Sequence, residues 1–144
     1  PPVNELNLKN EKPAISLVGE DITIVASGYS SYLSRKTAKK LNNENIFPEV
    51  IDVRILNPLN IKDIINSVKK TKRLLVVDPG WISSGFSAEL IAKVVENLDV
   101  NCLISPPARI ALPDAPAPTS KNLEKKYYTS VDDIYIKIKE ILKK

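Results

Sequence analysis

The sequence predicts an α/β fold built on a mainly parallel sheet with helices on both faces. Three observations lead there. Short apolar runs alternate with stretches of helical periodicity along most of the chain. The runs DITIVAS (21–27), PEVIDV (48–53) and RLLVVD (73–78) are apolar almost throughout, as strands buried on both sides must be. Finally, 144 residues with 43% hydrophobic content are enough for one domain with a real core.

Residues 1–13, polar and flanked by prolines, read as a linker from an upstream domain, which leaves 14–144 as the folded unit. AISLV (14–18) is a short strand, turned by Gly19-Glu20 into DITIVAS. Gly28 ends that strand. Ser30 or Ser31 caps a helix in which Leu33, Thr37 and Leu41 share a face, and Asn42, Asn43 and Asn45 mark its exit. After PEVIDV, Pro58 breaks the chain and Asn60 caps a helix with Ile61, Ile64, Ile65 and Val68 in one stripe. RLLVVD leads into a loop that contains Trp81. Beyond it, Phe86, Leu90, Ile91, Val94, Val95 and Leu98 form the inner face of a third helix. ARIAL (108–112) is the last strand, LPDAPAPTS (112–120) is irregular, and a final helix over about 130–143 turns Val131, Ile134, Ile138, Ile141 and Leu142 inward.

Composition excludes several classes of function. The 21 basic against 17 acidic residues give only +4, with no basic stripe interleaved with aromatics, so nucleic-acid binding is not indicated. No apolar run is long enough to span a membrane, and no secretory leader is visible. Cys102 stands alone, which rules out an internal disulfide or a cysteine metal cluster; in the run VNCLI it reads as a buried structural thiol. A reducing compartment fits, hence a cytoplasmic location, or the mitochondrial matrix in a eukaryote. The chain has no histidine, so it lacks the usual general base and the commonest metal ligand. It also has no methionine, which suggests a piece of a longer chain.

The stretch VVDPGWISSGFSAEL (76–90) offers the best candidate for an anion pocket: strand, Gly-containing loop, helix start. Gly80 and Gly85 have the P-loop interval, but Phe86-Ser87 stands where Lys-Ser/Thr belongs. A tight turn is therefore the preferred reading, with Trp81 covering an edge or meeting a partner; an anion at the N–H groups near Gly85 is compatible with it. Asp52, Asp63, Asp78, Glu89 and Asp114 have no spacing that forces an acid–base pair. Asp63, Asp132 and Asp133 suit helix N-termini. Arg54, just beyond its strand, is read as pairing with a carboxylate at a sheet edge.

Taken together, three stretches resemble the C-terminal domain of the transketolase superfamily, and within it the beta subunit of the thiamine-diphosphate-dependent first component of 2-oxo acid dehydrogenase complexes. Val53-Arg54-Ile55-Leu56-Asn57-Pro58-Leu59-Asn60 is similar to the family's turn, with Asn60 where Asp is usual. Thr71, Arg73, Leu74, Gly80, Trp81, Ser84, Gly85 and Glu89 follow its next strand and helix entry. Asp78-Pro79 replaces an acidic pair there, and Ser87 replaces a second glycine. Asp114, Pro116, Pro118, Leu123 and Glu124 resemble its Asp-x-Pro-x-Pro loop and Leu-Glu segment.

The resemblance implies a three-layer α/β/α sandwich on a five-stranded mixed sheet, with AISLV antiparallel to the rest. It implies thiamine diphosphate and Mg for the full enzyme but none for this fragment, which has no Gly-Asp-Gly. It also implies an assembly role, with Trp81, Ser84, Gly85, Asp114, Pro116 and Pro118 as interface candidates and no catalytic residue. The partners would be an upstream pyrimidine-binding domain, an alpha subunit, a second beta subunit and an acyltransferase core. A transketolase, a deoxyxylulose-phosphate synthase or a non-catalytic anion- or nucleotide-binding module are the alternatives.

Overall fold

The computed structural model describes residues 11–143. Most of the expected linker, residues 1–10, lies outside the described residues. Ten elements follow in order: β1 (Ala14–Leu17), β2 (Ile22–Ala26), α1 (Gly28–Asn42), β3 (Pro48–Asp52), α2 (Lys62–Thr71), β4 (Leu74–Trp81), α3 (Phe86–Glu96), β5 (Ala108–Leu112), α4 (Lys121–Tyr127) and α5 (Val131–Leu142). The sheet order is β1-β3-β2-β4-β5. Only β1 runs antiparallel, along β3; β2, β3, β4 and β5 are parallel.

The period-2 geometry of the strands divides the core into two layers. Ile22, Ile24, Ala26, Val50, Leu75 and Val77 pack with Leu33, Ala38 and Leu41 of α1 and Ile134, Ile138 and Ile141 of α5. Their strand neighbours Val25, Ile51, Leu74 and Val76 face the other way, onto Ile64 and Val68 of α2 and Leu90 and Val94 of α3. Both faces are filled, which is why these strands carry few polar residues.

Two buried polar side chains on the α2 side escape an apolar-run reading. Thr23 shares hydrogen bonds with Ser67 (2.6 Å) and Thr71 (2.7 Å) of α2. Glu49, 2% exposed, accepts from Lys70 Nζ at 2.5 Å and from the Gly19 N–H at 3.3 Å. Burial alone would push the Glu49 carboxyl up, but the hydrogen bonds from Lys70, Ser67 and Gly19 outweigh it and hold it below its ordinary value.

Several local expectations are corrected. α1 starts three or four residues early: Ser27 stands at the N-cap, while Ser30 and Ser31 lie inside the first turn and are buried. α2 begins at Lys62, although the Asn60 side chain still accepts the Lys62 N–H at 3.2 Å. Ile61 and Ile65 are only half-buried: Ile61 is the N-cap, outside the helix, and both line a surface hollow with Pro58 and Leu59. β4 continues past Asp78 to Trp81, so the loop begins at Ile82; pairing of Trp81 with Leu112 extends the strand. Val95 points outward at 45% exposure, since a turn of 3.6 residues cannot keep both Val94 and Val95 on one face. Cys102 is half-buried in a turn after α3, and Val100 beside it is fully open. The short helix α4 follows the expected irregular segment 112–120, in a stretch for which no element was expected; all but half-buried Tyr127 of it is exposed.

Candidate functional site

The loops at the carboxyl ends of the parallel strands hold the residues singled out from the sequence. Asp78, 3% exposed, folds back on the chain that follows it: Oδ1 accepts the Gly80 N–H at 2.8 Å and Oδ2 accepts the Ser87 N–H at 2.7 Å. The first turn of α3 is thus filled by the protein's own carboxylate. Gly85, its N-cap, is held against the Trp81 carbonyl so closely that a Cβ there would overlap that oxygen and press on Asp78. Ser84 takes the left-handed conformation, φ 54°, to make the turn.

A second carboxylate fixes the same loop from outside. Asp114 accepts the Ser83 hydroxyl at 2.5 Å and the Ser83 N–H at 3.1 Å. These two bonds from Ser83, the hydroxyl first, hold the Asp114 carboxyl below its ordinary value. Trp81 is 57% exposed; its indole N–H donates to the Tyr127 hydroxyl at 3.2 Å, which donates to the Ala115 carbonyl at 2.6 Å. Trp81, the loop after β5 and α4 therefore form one tethered surface. Asp114 and Pro116 are exposed and Pro118 is half-buried on it. Ser84 is exposed and Gly85 half-buried beside them. The tie through Tyr127 could not be read from the sequence, where nothing links positions 81, 115 and 127.

The remaining candidates stay apart. Glu89 pairs with Lys93 at 3.2 Å on the outer side of α3. Asp63 lies in the first turn of α2. Among the described residues, neither shares a hydrogen bond with Asp52, Asp78 or Asp114. Arg54 faces Glu11 at 4.0 Å, with its side chain largely in solvent.

A diphosphate-and-metal cofactor does not fit these loops. The N–H donors that would cradle it at α3 already hold Asp78, and among the described residues no three His, Cys, Asp or Glu side chains gather to bind a metal. Nor is any described helix long and apolar enough to cross a membrane.

A mixed five-stranded sheet between two helical layers, with its carboxyl-end loops tied by their own carboxylates, defines an α/β/α module of the doubly wound class. The chain belongs to the transketolase C-terminal domain family, whose model matches residues 12–134. Relatives include the pyruvate dehydrogenase E1 component subunit beta of Rickettsia felis, 37% identical over 123 residues, covering 85% of this chain and 37% of the relative. The mitochondrial subunit beta of Bos taurus is 36% identical over 131 residues, covering 91% and 36%.

Among solved structures, a split-gene transketolase in an inactive beta4 tetramer superposes with a TM-score of 0.74 at 21% identity, covering 92% of this chain and 42% of that one. The 2-oxoglutarate:ferredoxin oxidoreductase of Magnetococcus marinus superposes with a TM-score of 0.66 at 15% identity, covering 94% and 20%. These two share the fold. The chain spans little more than a third of the length of its sequence relatives. The family expected from the Val53–Asn60 turn and the Thr71–Trp81 stretch is the family found.

Proposed function

We propose that this chain is the C-terminal assembly domain of a pyruvate dehydrogenase-type beta subunit and performs no catalysis by itself. The observation that carries the reading is the 37% identity to the Rickettsia felis subunit, spread over 85% of the chain. The whole protein would oxidatively decarboxylate a 2-oxo acid and pass the acyl group to a lipoyl arm. Thiamine diphosphate and Mg would sit in upstream domains, consistent with the poor fit of the loops here. Residues 14–144 would pack against the pyrimidine-binding domain, an alpha subunit and a second beta subunit, with the acyltransferase core as a further partner. The protein would work in the cytoplasm, or in the mitochondrial matrix of a eukaryote.

Within this reading the contact surface is Trp81, Ser84, Gly85, Asp114, Pro116 and Pro118. Exposure of Trp81 supports it, because a large ring held in place by one hydrogen bond loses little freedom when a partner covers it. The prolines have fixed φ and add the same advantage. Arg54 is a structural ion-pairing residue, with Glu11 nearest.

The test is Trp81→Ala in the full-length subunit, followed by size-exclusion chromatography with light scattering. Assembly should be lost while the variant chain alone keeps its melting temperature; intact assembly would remove Trp81 from the interface. Micromolar binding of thiamine diphosphate with Mg²⁺ by the 144-residue chain would overturn the assembly-only role.

A further inference from the structure

The strand order reverses direction between β2 and β4: from β2 the chain leaves through α1 to β3 on one side, while from β4 it leaves through α3 to β5 on the other. In open α/β sheets such a reversal opens a crevice beyond the carboxyl ends of the strands. Here the crevice is a hollow of about 390 Å³. Tyr29 and Ser30 of α1, Pro79 of β4, Leu112 of β5 and Tyr128 before α5 line it. Its size is that of a small-molecule pocket, and its wall is mainly apolar with two tyrosines.

The polar features of the wall point to one end of a ligand. Ser30 is only 4% exposed, yet its hydroxyl has no hydrogen-bond partner among the described residues, while its carbonyl serves Ser34. The hydroxyl is not sealed in the core but opens on the hollow, where it is free to donate to a ligand. Ser30 lies in the first turn of α1, whose N-cap Ser27 gives no side-chain bond and which carries no acidic residue. The Ser30 N–H is taken by the Ser27 carbonyl at 3.1 Å, but the remaining N–H groups of the helix start and the helix dipole favour a negative charge there. Gly28 opens this helix at φ 54°, and nothing stands within 4 Å of the place where a Cβ would be, so the backbone can be approached closely. Leu33 and Thr129 complete the wall, which includes no acid that could play the anion's part.

We infer that this hollow is a binding site for a small aromatic carboxylate. The ring lies on the apolar wall beside Tyr29 and Tyr128, and the carboxylate accepts from the Ser30 hydroxyl and the N–H groups of the first turn of α1. The site needs nothing from the assembly surface, so it stands whether or not the assembly role does.

The test is titration of the ¹⁵N-labelled chain with three probes: indole-3-acetate, the uncharged indole-3-acetamide, and inorganic phosphate. Indole-3-acetate should shift the amides of Gly28 to Ser31 and Thr129 in a saturable way. The amide should bind at least about tenfold more weakly, the worth of a charge-assisted hydrogen bond, and phosphate weaker still. Ser30→Ala should weaken indole-3-acetate about tenfold without changing the melting temperature, since that hydroxyl holds nothing in the fold. Tyr128→Ala should weaken the acid and the amide alike. Equal binding of acid and amide, equal binding of phosphate, shifts confined to other residues, or no saturable shift at millimolar probe would each overturn the site.

Discussion

Helices α1 and α3 both begin at the carboxyl end of the sheet, one after β2 and the other after β4, yet their first turns are completed in opposite ways. At α3 the chain supplies its own anion: Asp78 reaches across nine residues to the Ser87 N–H, and Gly85 lets the backbone close over it. At α1 no side chain caps the turn, no acidic residue stands in it, and a hollow opens beside it. The two glycines differ accordingly. Gly85 has an ordinary φ of −76° and is needed because there is no room for a Cβ. Gly28 has φ 54° in open space and is needed only for that angle. A helix start at a sheet end is thus not in itself a ligand site; what decides is whether the chain has already filled it.

Gly85→Ala breaks the filled start most directly. The added methyl meets the Trp81 carbonyl, a backbone atom that cannot swing away, so a loss of roughly 3 kcal/mol is expected in denaturant unfolding. A loss below about 0.5 kcal/mol would mean that the loop is looser than described. Asp78→Ala removes the internal anion and strands the buried Ser87 N–H together with that of Gly80. A cost of about 2 kcal/mol follows, and the variant should gain weak sulfate binding at α3 that the parent lacks.

At the open start, Gly28→Ala should cost only about 1 kcal/mol, since the methyl meets nothing and only the left-handed backbone is strained. If Gly28→Ala proved as damaging as Gly85→Ala, the contrast between the two starts would fail. The smallest effect belongs to Asp114, the outer tie of the α3 loop. Its carboxyl lies below the ordinary value, so its contribution is present above about pH 3.9 and disappears as pH falls through the lowered folded value. Trp81 emission, coupled to that loop through Tyr127 and Ala115, should report an acid transition there that is absent from Asp114→Asn. An unchanged transition in the variant would assign it to another group.

Most of the frame was legible because burial on two faces leaves a plain mark on composition. Ile22 to Ala26, Val50 to Val53 and Leu74 to Val77 could only be strands inside a covered sheet, and the Val131–Leu142 helix was written in its stripe and in Asp132 and Asp133 at its start. Errors fell where apolar residues do not report burial. Ile65 and Val95 sit at the margins of their helix faces, and Val100 lies in a turn. α4 has no buried stripe to announce it; short, lysine-rich and almost wholly exposed, it looks like a loop in sequence.

The sequence by itself determined the alternation of strands and helices, the two-sided sheet and the family, because periodicity, apolar runs and motif spacing are local properties that survive in one dimension. The partners of its polar groups were left to the tertiary structure. Whether Asp78 would face a ligand or its own backbone, whether Glu49 would find Lys70, and whether Ser30 would find anything at all depend on which atoms the folded chain brings within about 3 Å, the range over which a hydrogen bond acts. A hydrogen bond is short and directional, so its partner is fixed by packing and not by sequence distance, whereas hydrophobic burial is non-directional and shows in composition alone.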